Sequence, residues 1–264
     1  MDVCAFEPGT TPVLMSIPHL GTEIPEALQT GMTDEALAVP DTDWALDRLY
    51  DFAGDLGLSV LKAQYSRYVI DLNRAPDGAA LYPGASNTEL VPTTTFAEAA
   101  IYRMGREPDT EEIERRRRLY WQPYHDRLVS ELNSLQQRHG VAVLFDCHSI
   151  RSQVPRFFDG SLLDFNLGTA GGVSCAPALR DRLAAALAEG DGFTLAVDGR
   201  FKGGYITRTY GASDQGVHAF QLELSQATYG QEGPPFVFDE TRAASVRPAL
   251  RRMLEAALDW SRAA

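Results

Sequence analysis

Two mostly apolar runs end in a histidine. Val13-Leu14-Met15-Ser16-Ile17 is stopped by Pro18 and passes at once into His19, and Val141-Ala142-Val143-Leu144-Phe145 delivers Asp146-Cys147-His148. Short apolar runs bounded by turn residues read as strands covered on both faces, and that cover comes from helices above and below a largely parallel sheet. In such sheets, sites gather beyond the carboxyl ends of the strands. Both histidines fall at such ends, so two strands can bring them to one mouth.

The rest of the chain supplies the helices. Asp41-Thr42-Asp43 is a helix start, followed by Trp44, Leu46, Leu49, Phe52, Ala53 and Leu56 at helical spacing and closed by Gly57. Thr110 opens a long helix to about His139, acidic in its first turn and ended by Gly140, and Pro123 predicts a kink or break inside it. Residues 177–189, stopped by Gly190, and about 245–260 read as further helices. Residues 59–62, 65–72, 193–197 and 217–224 read as strands, 152–174 as loop, and 203–208 as a short strand or loop. The stretch up to about Pro108, rich in Pro, Gly, Thr and Asn, is longer than a compact domain usually allows unless it covers a binding site. Strands alternating with helices, without repeat or linker, predict one α/β domain over residues 1–264, three layers deep, with helices flanking a mixed, mostly parallel sheet.

Composition narrows the partners. The chain carries 36 acidic residues against 24 basic ones, a net charge of −12, which repels phosphate backbones and anionic lipid and disfavours a nucleic-acid or membrane-surface role. No apolar run approaches the roughly 20 residues of a membrane span, and residues 1–12 lack a basic segment followed by an apolar one. The expectation is a cytoplasmic protein acting on a small molecule; nothing sets its oligomeric state. Cys4, Cys147 and Cys175 are widely spaced, without a Cys-x-x-Cys pair, so neither a disulfide framework nor a thiolate zinc site is implied. Any metal must be held by His and carboxylate.

Of the five histidines, only His19 and His148 follow apolar strands. A catalytic zinc site needs three protein ligands, commonly two His and one carboxylate, plus an open position. Asp43 is a candidate third ligand, with Asp41 and Glu23 as rivals; Asp41 or Asp43 could instead be a helix cap. In Tyr65-Ser66-Arg67-Tyr68-Val69-Ile70-Asp71-Leu72-Asn73-Arg74, the Arg74 fork and the Asn73 amide read as a carboxylate clamp, the alternative being an Asp71–Arg74 ion pair. Arg67 lies seven residues earlier, on the opposite strand face unless a bulge intervenes. Glu223, near the end of the strand Phe220-Gln221-Leu222-Glu223-Leu224, is a candidate general base whose pKa burial would raise. Strand alternation turns Cys147 away from His148, and His218 away from Glu223. His125 reads as helix packing or pocket wall, and Arg115 to Arg118 as a solvated helix face.

In this order the motifs resemble the N-formylglutamate amidohydrolase (N-formylglutamate deformylase) family. The resemblance covers nearly the whole chain: Ser16-Ile17-Pro18-His19, Asp41-Thr42-Asp43-Trp44, Ser66-Arg67 with Asp71-Leu72-Asn73-Arg74, Asp146-Cys147-His148-Ser149, Asp164-Phe165-Asn166-Leu167-Gly168, Gly203-Gly204-Tyr205 and Gln221-Leu222-Glu223. The Asp-Leu-Asn-Arg segment is also similar to that of aspartoacylases and the wider zinc-carboxypeptidase-like group. There the acidic ligand follows the first His closely, where this chain offers only Glu23.

The resemblance implies a zinc-carboxypeptidase-like fold and one zinc ion, or another divalent metal, on His19, Asp43 and His148. The implied reaction is hydrolysis of N-formyl-L-glutamate to formate and glutamate, at the end of a histidine degradation route. Glu223 would then carry the proton, Arg67 would face the oxyanion, Arg74 with Asn73 would hold one carboxylate, and Arg208, beyond Gly203-Gly204-Tyr205, the other. Two other readings stand beside it: a related zinc-dependent N-acyl amino acid deacylase or peptidase, and a metal-free module binding an acidic amino acid through Arg67 and Arg74.

Overall fold

The computed structural model describes residues 2–80, 86–189 and 192–264. Seven strands form one sheet: β1 (Cys4–Glu7), β2 (Val13–Ile17), β3 (Ser59–Ala63), β4 (Ala142–Ile150), β5 (Phe165–Gly168), β6 (Leu195–Val197) and β7 (Val217–Ser225). Their spatial order is β1-β3-β2-β4-β7-β5-β6. The pairs β1–β3 and β5–β7 are antiparallel, and the other neighbours are parallel. This is the expected mixed, mostly parallel α/β sheet.

Alternation divides the central strands between two cores. Val13, Met15, Ile17, Val143, Phe145, Cys147, Phe220, Leu222 and Leu224 pack with the helices Pro177–Ala188 and Glu240–Ser261. Leu14, Ala142, Leu144 and Ala219 pack on the other side with the helix Gln122–His139. The two faces explain why β2 and β4 are buried throughout and read as continuous apolar runs. Among the described residues no helix is long and apolar enough to cross a membrane.

Several elements differ from expectation. Residues 65–72 are not a strand: Tyr65 makes an isolated bridge with Glu23, and Val69 N donates to Ser66 O across a turn. Tyr68, Val69, Ile70 and Leu72 are all buried there, so an apolar run imitated a strand while wrapping over the second core. The helix expected from Asp43 is reduced to Leu46–Leu49 and a 3₁₀ turn at Asp51–Ala53, because Ala45 adopts a left-handed conformation (φ 54°). At Pro123 the long helix does break: Thr110–Arg116 passes through a π-helical turn, Arg117–Trp121, into Gln122–His139, with Pro123 in the first turn of the new segment.

Inside the expected loop 152–174, β5 is only four residues long and carries Asn166 and Gly168, which hide a strand pattern. Residues 203–208, expected as strand or loop, enter a short helix, Tyr205–Tyr210. The last helix starts at Glu240, capped by Asp239, whose carboxylate accepts from Thr241 N and Arg242 N. Gly190, read as a helix stop, and part of the expected cover at 81–85 lie outside the described residues.

Candidate active site

The pairing of β4 with β7 sets the site. Asp146 stands opposite Gln221, and His148 opposite Glu223. The two-residue period places all four on one side, while Cys147 and Leu222 between them go into the first core. His19 lies two residues beyond the end of β2, where its carbonyl accepts from Asp43 N at 3.0 Å. That bond draws Asp43 to the strand ends, and Ser149 N donates to its Oδ2 at 3.1 Å. Ligand atoms of His19, Asp43 and His148 lie within 4.8 Å of one another, and all three residues are buried.

Both imidazoles are oriented from behind. His19 Nε2 donates to Asp71 Oδ1 at 2.7 Å, and His148 Nε2 to Asp146 Oδ1 at 2.9 Å. Each ring therefore turns Nδ1 toward Asp43 Oδ2, at 3.7 Å from His19 and 3.1 Å from His148. Arg67 Nη2 donates to His19 Nδ1. Two imidazole nitrogens and a carboxylate oxygen, with each distal N–H fixed by a fully buried carboxylate, fit the donor set and supporting shell of a zinc-type centre.

The electrostatics follow. Burial opposes ionisation of Asp43, but its contact with His148 and the nearby charges of His19 and Arg67 hold its carboxyl well below the usual range. Asp71, against the same burial, is held down by the charges of His19, Arg74 and Arg67. Burial disfavours a charged His148, yet Asp146 and Asp43 push its pKa well up. Glu223 is pushed up to about 8, chiefly by burial. It lines the same pocket as the three candidate ligands, and Gln221 Nε2 donates to its Oε2 at 3.2 Å.

A sequence profile of the N-formylglutamate amidohydrolase family matches residues 11–230. The chain belongs to that family. It is 49% identical over 261 residues to N-formylglutamate deformylase of Pseudomonas aeruginosa, covering 99% of this chain and 98% of that one. It is 47% identical over 258 residues to N-formylglutamate deformylase of Pseudomonas putida, covering 98% and 96%. The crystal structure of N-formylglutamate amidohydrolase from Ralstonia eutropha JMP134 superimposes with a TM-score of 0.83 at 25% identity, covering 98% of each chain. The protein is thus an amidohydrolase by family.

In this N-formylglutamate amidohydrolase family member, Arg67 and Arg74 line the pocket with His19, Asp43, His148 and Glu223. Arg67 reaches it because residues 66–69 turn, which removes the strand alternation that would have pointed it away. Arg74 is held by Thr88, donating to its carbonyl at 3.0 Å and to its hydroxyl at 2.8 Å. Asn73 also borders the pocket, but its amide faces inward. Nδ2 lies 3.4 Å from Asp146 Oδ2 and 2.9 Å from His148 Nε2, while Oδ1 accepts from Ile206 N at 2.8 Å. Asn73 thus braces the His148–Asp146 pair.

Other candidates fall elsewhere. Arg208 is exposed on the short helix, its Nε donating to Gly203 O, and does not border the pocket. Tyr205 also lies outside the lining and packs beside Trp121 and His125. Both ride on the short helix Tyr205–Tyr210, where a short strand or loop was expected. Glu23 is exposed, and its backbone pairs with Tyr65. Asp41 is buried but accepts from Tyr68 OH at 2.6 Å and Phe96 N at 2.7 Å, so it fastens the covering loop. Asp43 caps no helix.

His125 is packing, stacked on Trp121 at 3.7 Å, and His218 packs against Trp260. Sequence reasoning missed two groups in the wall: Arg200, and the aromatic residues Phe96, Phe157 and Phe201. They come from irregular loops, where no periodicity marks a direction.

Proposed function

We propose that this chain hydrolyses N-formyl-L-glutamate to formate and L-glutamate, residues 1–264 working as one amidohydrolase domain. His19, Asp43 and His148 would hold one divalent metal, zinc by the chemistry of the donor set. The observation that carries the reading is the His19–Asp43–His148 cluster with Glu223 in the same pocket. The names of the two Pseudomonas relatives supply the substrate, and the resemblance supplies a place at the end of histidine degradation.

When bound, such an ion supplies Lewis acidity toward a carbonyl and a water. Glu223 takes a proton from the attacking water and gives it to the amine nitrogen as the C–N bond breaks, and the proton of the formic acid so formed passes to the amine, so formate and glutamate with its ammonium group leave in balance. Its raised pKa suits the proton-donating half of that cycle, and positive charge placed among the ligands favours its base form at the start. Arg67, beside His19, offers its guanidinium to negative charge developing on the formyl oxygen. Arg74, anchored on Thr88, presents a planar fork to a substrate carboxylate.

The test is metal analysis of the purified protein combined with formate release from N-formylglutamate, before and after chelation. Stoichiometric metal, loss of turnover on chelation and recovery with zinc are expected. Equal turnover without metal would overturn the metal reading. Preference for acetyl or peptidyl glutamate over the formyl compound would transfer the chain to a different acyl specificity.

A further inference from the structure

Three arginines border the pocket: Arg67, Arg74 and Arg200. Their supports differ. Arg67 is fixed at His19 and Arg74 on Thr88. Arg200 arrives on a separate loop, half-buried, with Nε donating to Phe157 O at 2.8 Å and its guanidinium 5.6 Å from the Phe201 ring.

That loop is fastened at both ends. Asp198 accepts from Thr169 N at 2.7 Å, Thr169 Oγ1 at 2.6 Å and Gly171 N at 3.1 Å, and Ala170 N donates to Lys202 O at 2.6 Å. Gly204 N donates to Gln221 Oε1 at 2.7 Å, and a Cβ at Gly204 would lie 2.2 Å from Asn73 Nδ2. The absence of a side chain there lets the loop close onto the residues behind His148. Arg200 is thereby carried between two anchored points, and a preorganised cation binds an anion without a large ordering cost.

A formylated neutral amino acid presents one carboxylate beside the scissile amide. Two arginines suffice for it, one at the reacting oxygen and one at the carboxylate. In a chain of net charge −12, a third arginine in the wall favours a second anionic group in the ligand. We propose that Arg200 receives the side-chain carboxylate of the substrate and so sets preference for formylated dicarboxylic amino acids over neutral ones. This rests on the reading that the chain hydrolyses N-formyl amino acids. Arg208 is exposed on the short helix and lies outside the pocket lining.

The test compares kcat/KM for N-formylglutamate and N-formylmethionine in wild type, Arg200→Met, Arg208→Met and Arg74→Met. A desolvated charge-assisted contact is worth roughly 10- to 150-fold. Arg200→Met should therefore lower kcat/KM for N-formylglutamate by about that factor, mainly through KM, with N-formylmethionine turnover within about twofold of wild type. Arg208→Met should keep the wild-type preference, and Arg74→Met should impair both substrates. A retained preference in Arg200→Met, or an equal loss on both substrates, would overturn the assignment while leaving the hydrolase reading intact. A wild type that cleaves neither compound overturns the hydrolase reading and this one with it; one that cleaves both equally overturns only this one.

Discussion

His148 on β4 and Glu223 on β7 stand opposite each other in the register of two neighbouring parallel strands. Their backbones are held about 4.8 Å apart by the ladder itself, so the separation of the imidazole proposed to hold the metal from the carboxylate proposed to carry the proton is set by the sheet. Glu223→Gln keeps the shape and removes the proton transfer. It should lower kcat by about 10²- to 10⁴-fold with metal content and thermal unfolding unchanged, checked by elemental analysis beside turnover. A fully active variant would move the proton to another group.

Asp43 and Glu23 can be separated directly. Asp43→Asn should lose stoichiometric zinc after dialysis, because the carboxylate oxygen facing both imidazoles is replaced by a weak neutral donor. Glu23→Gln, at an exposed position, should retain it. The reverse result would return Asp43 to a purely structural role.

Removing support behind a ligand should cost less than removing the ligand. Asp71→Asn leaves His19 in place but weakens the bond that fixes its tautomer. Metal affinity should fall about 10- to 100-fold, measured by competition with a chromophoric chelator. An unchanged affinity would mean that packing alone orients His19.

Acid stability should report a residue outside the site. Burial pushes the His125 pKa down to about 4 from an ordinary 6.5, its Nε2 donating to Leu72 O. The unfolded chain therefore takes up this proton as pH falls below about 6.5, whereas the folded chain does so only near 4. Across that window the unfolded state binds more protons, and stability falls with falling pH by up to about 1.4 kcal/mol per unit from this group. His125→Gln should flatten the dependence of unfolding free energy on pH between about 6.5 and 4. An identical slope in variant and wild type would show that other groups set the acid limit.

The sheet and its two histidines were legible because burial on both faces leaves an unbroken apolar run, although β4 carries Asp146 and His148 within the strand and ends only at Ile150. Glu223 followed from the same rule. Arg67 was not assignable to the pocket from spacing, since residues 65–72 carry a strand's composition yet turn, and a turn cancels the alternation from which facing is read. Arg200 escaped the sequence reading for a related reason. β6, which precedes Arg200, runs parallel to β5 and thus opposite to β7, so its carboxyl end points away from the mouth and the strand-end rule gives no hint of the returning loop. Asn73 was read as a donor to substrate because a sequence cannot show that its Nδ2 faces Asp146 and His148, far along the chain, instead.

The alternation of Cys147 with His148 and of Leu222 with Glu223 has a consequence for how such a chain can change over time. One residue inserted or deleted within either strand ahead of these positions would exchange the two sets, sending an imidazole or a carboxylate into the core and a thiol or an isobutyl group to the mouth. Substitutions can be tried one at a time along β4 and β7, but frame shifts of a single residue cannot. Length changes in this architecture are therefore confined to the connections, where new ligand preferences can be explored without disturbing the polar groups that β4 and β7 hold at the mouth.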